Sequence, residues 1–275
     1  MFTPFAFVKS TTAEAAADAD ATAYLAEVTA VGGTVNGTIT SAVNALFTSL
    51  KSNSLYTEIR AMYPIVGGTA LSHGIEGKAP TDNDFEITWS GSALTHNSNG
   101  IIVSASSAGY GSIRKTPAQM FTGIDNVGMG HYLKTLSNVG TSPNQIGLVA
   151  NGGGESGRFQ FATPDLGEVF FLVGGTGGFI QFADANPLGF NFGVRRSSTS
   201  IQYYLNGTSQ QLVTTSNAST FNSTDNIEIF GLNAGQRLPT NLSNFYIFTN
   251  ALSNAQVSTL NTIISTFETS LSRNF

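Results

Sequence analysis

Only 11% of the 275 residues are Asp, Glu, Lys or Arg, against about 25% in an ordinary soluble domain, and the net charge is −5. The twelve basic residues are scattered, with Arg114-Lys115 and Arg195-Arg196 as mere pairs and no lysine after Lys134, so there is no basic footprint for nucleic acid. The absence of cysteine excludes disulfides, thiolate metal sites and thiol nucleophiles together, while 41% hydrophobic content with 20 Phe is ample for a packed core.

In chain order, residues 1–10 (MFTPFAFVKS) read as an apolar arm, in which Phe2, Phe5 and Phe7 need cover from the domain or from a neighbour. The stretch is too short for a secretory leader, and no apolar run reaches the roughly 18 residues that span a bilayer, so a product made in the cytoplasm is expected. Residues 11–80 read as a helical lead-in. Ala21, Tyr24, Leu25 and Val28 keep helical spacing behind a cap at Asp18 or Asp20. Ile39, Val43, Leu46, Phe47 and Leu50 mark a second helix over 38–52, and a third is predicted over Leu55–Met62, ending before Pro64.

From residue 81 the period changes. Phe85, Ile87 and Trp89 alternate with Glu86 and Thr88, and strands are predicted at 101–105, 146–150, 158–162, 169–173, 179–182, 190–194, 201–205, 209–213, 226–230 and 244–248. Many short strands with Gly, Pro, Asn or Ser between them argue for an antiparallel β-sandwich. Asn206-Gly207 is the sharpest local signal, a two-residue hairpin turn. Ser253 and Gln256 have capping-box spacing, and Val257, Leu260, Ile264, Phe267 and Leu271 follow at helical steps, which closes the chain with one helix.

Catalytic chemistry is sparse. His73, His96 and His131 are far apart, with no metal-ligand spacing. The run 152–157 (GGGESG) matches a dinucleotide fingerprint in form, but a strand follows it where a helix is required, so it reads as a loop. The glycine-rich run 173–178 is a turn. On an extended strand Asp82, Asp84 and Glu86 would share a face, which leaves open glycan hydrolysis or calcium ligation, although the Glu-x-Asp-x-x-Glu pattern of sandwich glycanases is absent. No catalytic residue, cofactor or metal ligand is assigned. Trp89, Tyr110, Tyr132 and Tyr203 are the aromatic side chains available to stack on sugar rings.

Several stretches resemble bacteriophage virion structural proteins, capsid- or tail-associated, that carry a laminin-G/concanavalin A-like domain. These are DADATAYLAEVTAVGG, SAVNALFTSLKSNSLYTEIRAMYPIVGGTALSH and GIEGKAPTDNDFEITWSGS, then GFNFGVRRSSTSIQYYLNGTSQ and NLSNFYIFTNALSNAQVSTLNTIISTFETSLSRNF. The resemblance implies a mainly-β jelly-roll sandwich over 81–275 with N-terminal helices and one C-terminal helix. It also implies a non-enzymatic component exposed on the virion (capsid decoration, head fibre, spike or tail appendage). The partners it implies are other virion proteins, further copies of the chain and a host surface glycan. Carbohydrate binding is the alternative reading, and glycan hydrolysis a third.

Overall fold

The computed structural model describes residues 17–92, 94–103, 109–135, 144–148, 159–165, 168–174, 180–184, 186–214, 221, 225–231 and 242–275. The arm at 1–10 and the run 152–157 lie outside them, as does most of the run 173–178.

Two helices open the described chain, α1 (Ala19–Ala30) and α2 (Gly37–Ser52), followed by β1 (Ile59–Tyr63) and a short α3 (Ala70–Gly74). Next come β2 (Ile87–Ser90), β3 (Leu94–Asn97), β4 (Gly100–Val103), β5 (Tyr110–Ile113), α4 (Pro117–Met120) and β6 (Val127–Thr135). The remaining strands are β7 (Asn144–Leu148), β8 (Phe159–Asp165), β9 (Glu168–Val173), β10 (Ile180–Ala183), β11 (Gly189–Ser197), β12 (Ser200–Leu205), β13 (Thr208–Val213), β14 (Glu228–Ile229) and β15 (Leu242–Thr249), before α5 (Asn254–Ser270). Local chemistry sets the helix starts. Asp18 accepts from the Asp20 and Ala21 amides, Asn36 from that of Ile39, and Ser253 and Gln256 form the reciprocal capping box read from the sequence.

Among the described residues the strands build two antiparallel sheets. One runs β13-β12-β11-β6-β15-β4-β3, with β1 beside β4 along the same edge of β15; the other runs β10-β9-β8-β7-β14-β5-β2. The predicted helix over Leu55–Met62 is therefore corrected: residues 59–63 form a strand whose Tyr63 faces Tyr246 on β15. Its side chains alternate from Ala61 onward, after a register shift between Ile59 and Ala61. Ala61 and Tyr63 point between the sheets, and Ile59 and Met62 lie under the helices.

The same alternation builds three layers. Tyr246 and Phe248 of β15 join Phe161 and Phe171 of the second sheet in the inter-sheet core, whereas Phe245 and Ile247 meet Val257, Leu260 and Phe267 of α5. Both faces of the first sheet are thus covered. Tyr24 and Phe47 on α1 and α2 belong to the helical core, so the lead-in and the sandwich share buried surface.

The hairpin at Asn206-Gly207 is present, with φ of 51° and 76° at the two turn residues. Asn206 Oδ1 accepts from the Phe190 amide and Nδ2 donates to the Leu188 carbonyl, which ties the turn to β11. Asn206→Ala forfeits both bonds and leaves a Cβ-bearing residue with no side-chain compensation in the left-handed region. Urea unfolding is expected to register a loss of about 2 kcal/mol.

Candidate functional site

The aromatic residues singled out as sugar platforms scatter over the fold. Tyr203 is fully buried between the sheets, with its hydroxyl donating to Asn191 Oδ1, and Tyr132 is buried on the helix side of β6 against Phe275. Neither ring has a free face, because central strands of a doubly covered sheet have no solvent side. Tyr110 is half-buried on β5. Trp89, on the edge strand β2, is half-buried and stands edge-on to the His96 imidazole with ring centres 5.0 Å apart.

The acidic cluster does not converge either. Residues 81–85 turn before β2 begins, so two-residue spacing no longer places the carboxylates on one face. Asp82 Oδ1 accepts from the Asp84 amide, Asp84 pairs with Lys115 at 2.7 Å, and Glu86 lies 3.9 Å from Arg114. Among the described residues no group of three or more His, Cys, Asp or Glu is placed to hold a metal ion.

What the fold does bring together is a set of loops at one end of the helical layer. They enclose a groove of about 570 Å³. Thr34, Asn36 and Thr38 come from the start of α2; Val66–Thr69 link β1 to α3; His96 and Asn97 end β3 and Ser98 opens its turn into β4; Leu271 and Arg273 follow α5. The Thr34 amide donates to the Gly67 carbonyl at 2.9 Å and joins the first two walls. The β1–α3 loop is unusual. Ile65 has φ of +48° and Gly67 of +95°, and a Cβ at Gly67 would stand 2.6 Å from Ser72 Oγ, so only glycine fits there.

Two polar devices hold the walls. In the first, the Gly68 amide donates to His73 Nε2 at 3.2 Å, which leaves the His73 proton on Nδ1, directed at His96 Nδ1 3.0 Å away. The His96 proton then sits on Nε2. Burial, with His96 and Arg273 adding to it, holds the His73 imidazole well below the usual histidine range, and burial alone brings His96 down to about 4. Both rings are neutral at physiological pH. In the second, the Arg273 guanidinium forms the groove floor. Its Nε and Nη2 take the two Glu268 carboxylate oxygens at 3.0 Å each, Nη1 donates to the Ile65 carbonyl at 2.6 Å, and Nη2 also reaches the Pro64 carbonyl at 3.2 Å. This bidentate pair pins the left-handed Ile65.

In the sequence the three histidines stand far apart, and nothing marks Arg273. The visible signals were the Pro64-Ile-Val-Gly-Gly68 run and the two histidines flanking β2, but only the topology joins them. His131 is buried edge-on to Phe161, away from the groove lining. A second cavity of about 380 Å³ follows the α2–α5 seam; there the Thr259, Thr262 and Thr266 hydroxyls already donate to carbonyls of their own helix.

No protein-family model matches the chain, and no curated protein matches it. Solved structures do. The binding domain of botulinum neurotoxin serotype D superposes with a TM-score of 0.54 at 11% identity, over 76% of this chain and 53% of that one. A botulinum neurotoxin type C structure, described as needing two ganglioside molecules to enter cells, gives 0.57 at 9% identity, over 78% and 53%. A mutant Trypanosoma rangeli sialidase with trans-sialidase activity gives 0.55 at 8% identity, over 82% and 40%. The chain spans about half the length of the toxin domains it matches, and at these identities the likeness concerns the fold alone. The chain folds as a mainly-β, antiparallel jelly-roll sandwich. Helices flank it at both ends of the described chain, and among the described residues no helix is long and apolar enough to cross a membrane.

Proposed function

We propose that this chain is a non-enzymatic carbohydrate-binding module and that the groove between the α2 start, the β1–α3 loop and the β3–β4 turn receives the glycan. The observation that carries the reading is the character of that groove on a jelly-roll scaffold. Its rim is hydroxyl and amide, from Thr34, Asn36, Thr38, Asn97 and Ser98, and Ile39, Val66 and Leu271 add apolar surface between them. Sugars present the same combination, hydroxyls around a ring with C–H faces. The ganglioside dependence described for a toxin of like fold supports the reading. The acidic residues Asp82, Asp84 and Glu86, tied into turn and ion pairs, favour retention of a glycan over its hydrolysis.

The test is a glycan array probed with a multivalent form of the chain, followed by titration of the hits against Thr38→Trp. Thr38 is exposed on the first turn of α2, so an indole there fills the groove without touching a core. Binding that falls at least about tenfold in the variant supports the site; an array with no hits overturns it.

The setting on a virion exterior, among other virion proteins and further copies of the chain, is likewise our proposal. The sequence resemblance and the weakly charged, hydroxyl-rich surface support it. Multivalent display would raise a weak single-site affinity by about 10²–10⁴. Mass spectrometry of purified virions that fails to detect the chain, together with a strictly monomeric state in solution, would remove it.

A further inference from the structure

We infer that the groove selects uncharged glycans and discriminates against sugars carrying a carboxylate or sulfate. The inference deepens the glycan-binding reading and rests on it.

The charge in the groove is already committed. Among the described lining residues Arg273 is the only side chain with a permanent charge, and it is 1% exposed. Both oxygens of Glu268 accept from it, and four of its N–H bonds point to Glu268, Ile65 and Pro64. A ligand carboxylate arriving above it meets a closed ion pair, not a free fork of donors. The imidazoles supply no cation either. A proton on His96 Nδ1 would face the His73 Nδ1–H across 3.0 Å, and that geometry excludes charging while the Gly68 amide holds His73 Nε2 as an acceptor. Lys134 donates to the Ser272 carbonyl and stands outside the lining, while Lys51 and Lys78 both rest on the Tyr56 ring.

An anionic sugar would thus lose hydration without gaining a counter-charge, whereas a hydroxyl exchanges water for threonine, serine or asparagine at little net cost. The solved structures of like fold do not fix this preference. It follows from the Glu268–Arg273 and His73–His96 pairs of this chain.

The experiment is an array printed in matched pairs, each neutral oligosaccharide beside its sialylated and its sulfated form, probed with the multivalent wild type and with Thr38→Lys. The expected result is binding of the neutral member at least about tenfold tighter, little changed by added salt, and a narrowed gap in Thr38→Lys, whose ammonium supplies the missing cation. Equal or tighter wild-type binding of the acidic member overturns the inference and leaves glycan binding standing. No binding to any member removes both.

Discussion

Replacing Arg273 with methionine is expected to lower the unfolding free energy at pH 8 by about 3–5 kcal/mol, the usual cost of leaving one buried charge without its partner. Glu268 is fully buried, and the guanidinium that neutralises it also holds the Ile65 carbonyl at 2.6 Å. Ile65 is β-branched and sits at φ +48°, a conformation that costs on the order of 1–3 kcal/mol and persists only where neighbours impose it. The sign of the pH dependence is fixed. Burial pushes the Glu268 carboxyl up to about 7 although Arg273 pulls it down, so its protonated form is the better tolerated one in the fold. A carboxyl raised in the folded state contributes its stability below the ordinary 4.5, and that contribution is lost as pH rises through about 7. Without Arg273 the carboxyl rises further. The deficit of the variant is therefore largest at pH 8 and shrinks toward pH 5, where Glu268 takes up a proton. Urea titrations at the two values read it directly. A loss below about 1 kcal/mol at both would mean that the pair does not hold the loop. The double variant Glu268→Gln/Arg273→Met is expected to recover part of the stability, since no ion is then stranded.

Acid should find a second weak point in the buried histidines. Burial holds His131 down to about 3, while the unfolded chain accepts a proton at the ordinary 6.5. Its contribution is present above 6.5 and is lost as pH falls toward 3. Over the interval from 6.5 to 4.5 that amounts to about 2–3 kcal/mol for this one fully buried group. His73 acts in the same direction, and His96 does so more weakly because it is partly exposed to solvent. Glu76 and Glu268, both raised by burial, act in the opposite direction and blunt the wild-type curve. The clean measurement is the stability difference between wild type and His131→Gln, determined by chemical denaturation at both pH values. The difference should narrow by about 2–3 kcal/mol on acidification. Parallel curves would place the acid sensitivity elsewhere.

What the sequence disclosed follows the range of the interactions. The caps at Asp18 and Ser253 and the turn at Asn206-Gly207 act over three or four residues, and all three stand where local chemistry puts them. Residues 59–62 read as helix because Arg60, Ala61 and Met62 are good helix formers. Their strand state comes from β15, which the local pattern does not contain. The strand β6 escaped notice because Gly128 and Gly130 interrupt its alternation, yet a Cβ at either would stand 2.8 Å from the Phe192 ring, so the glycines make room for β11. The groove was illegible for the same reason. Its walls come from residues 34–38, 66–69, 96–98 and 271–273, and no short segment carries a motif. Tyr203 misled because alternation announces an outward face without saying what covers it, and Tyr132 because the strand that buries it carries no alternation of its own.

The position of β15 also has a bearing on biosynthesis. Tyr63 of β1 and Tyr132 of β6 both find their partners on it, at Tyr246 and Phe245, and Ser243 reaches the Tyr132 carbonyl across 111 residues of chain. At about 5–20 residues per second, a ribosome leaves the earlier strands waiting on the order of ten seconds for their neighbour. The central sheet therefore assembles late in translation. Until then the nascent polypeptide carries exposed strand edges, the kind of surface that chaperones shield and that crowded polysomes turn into aggregates.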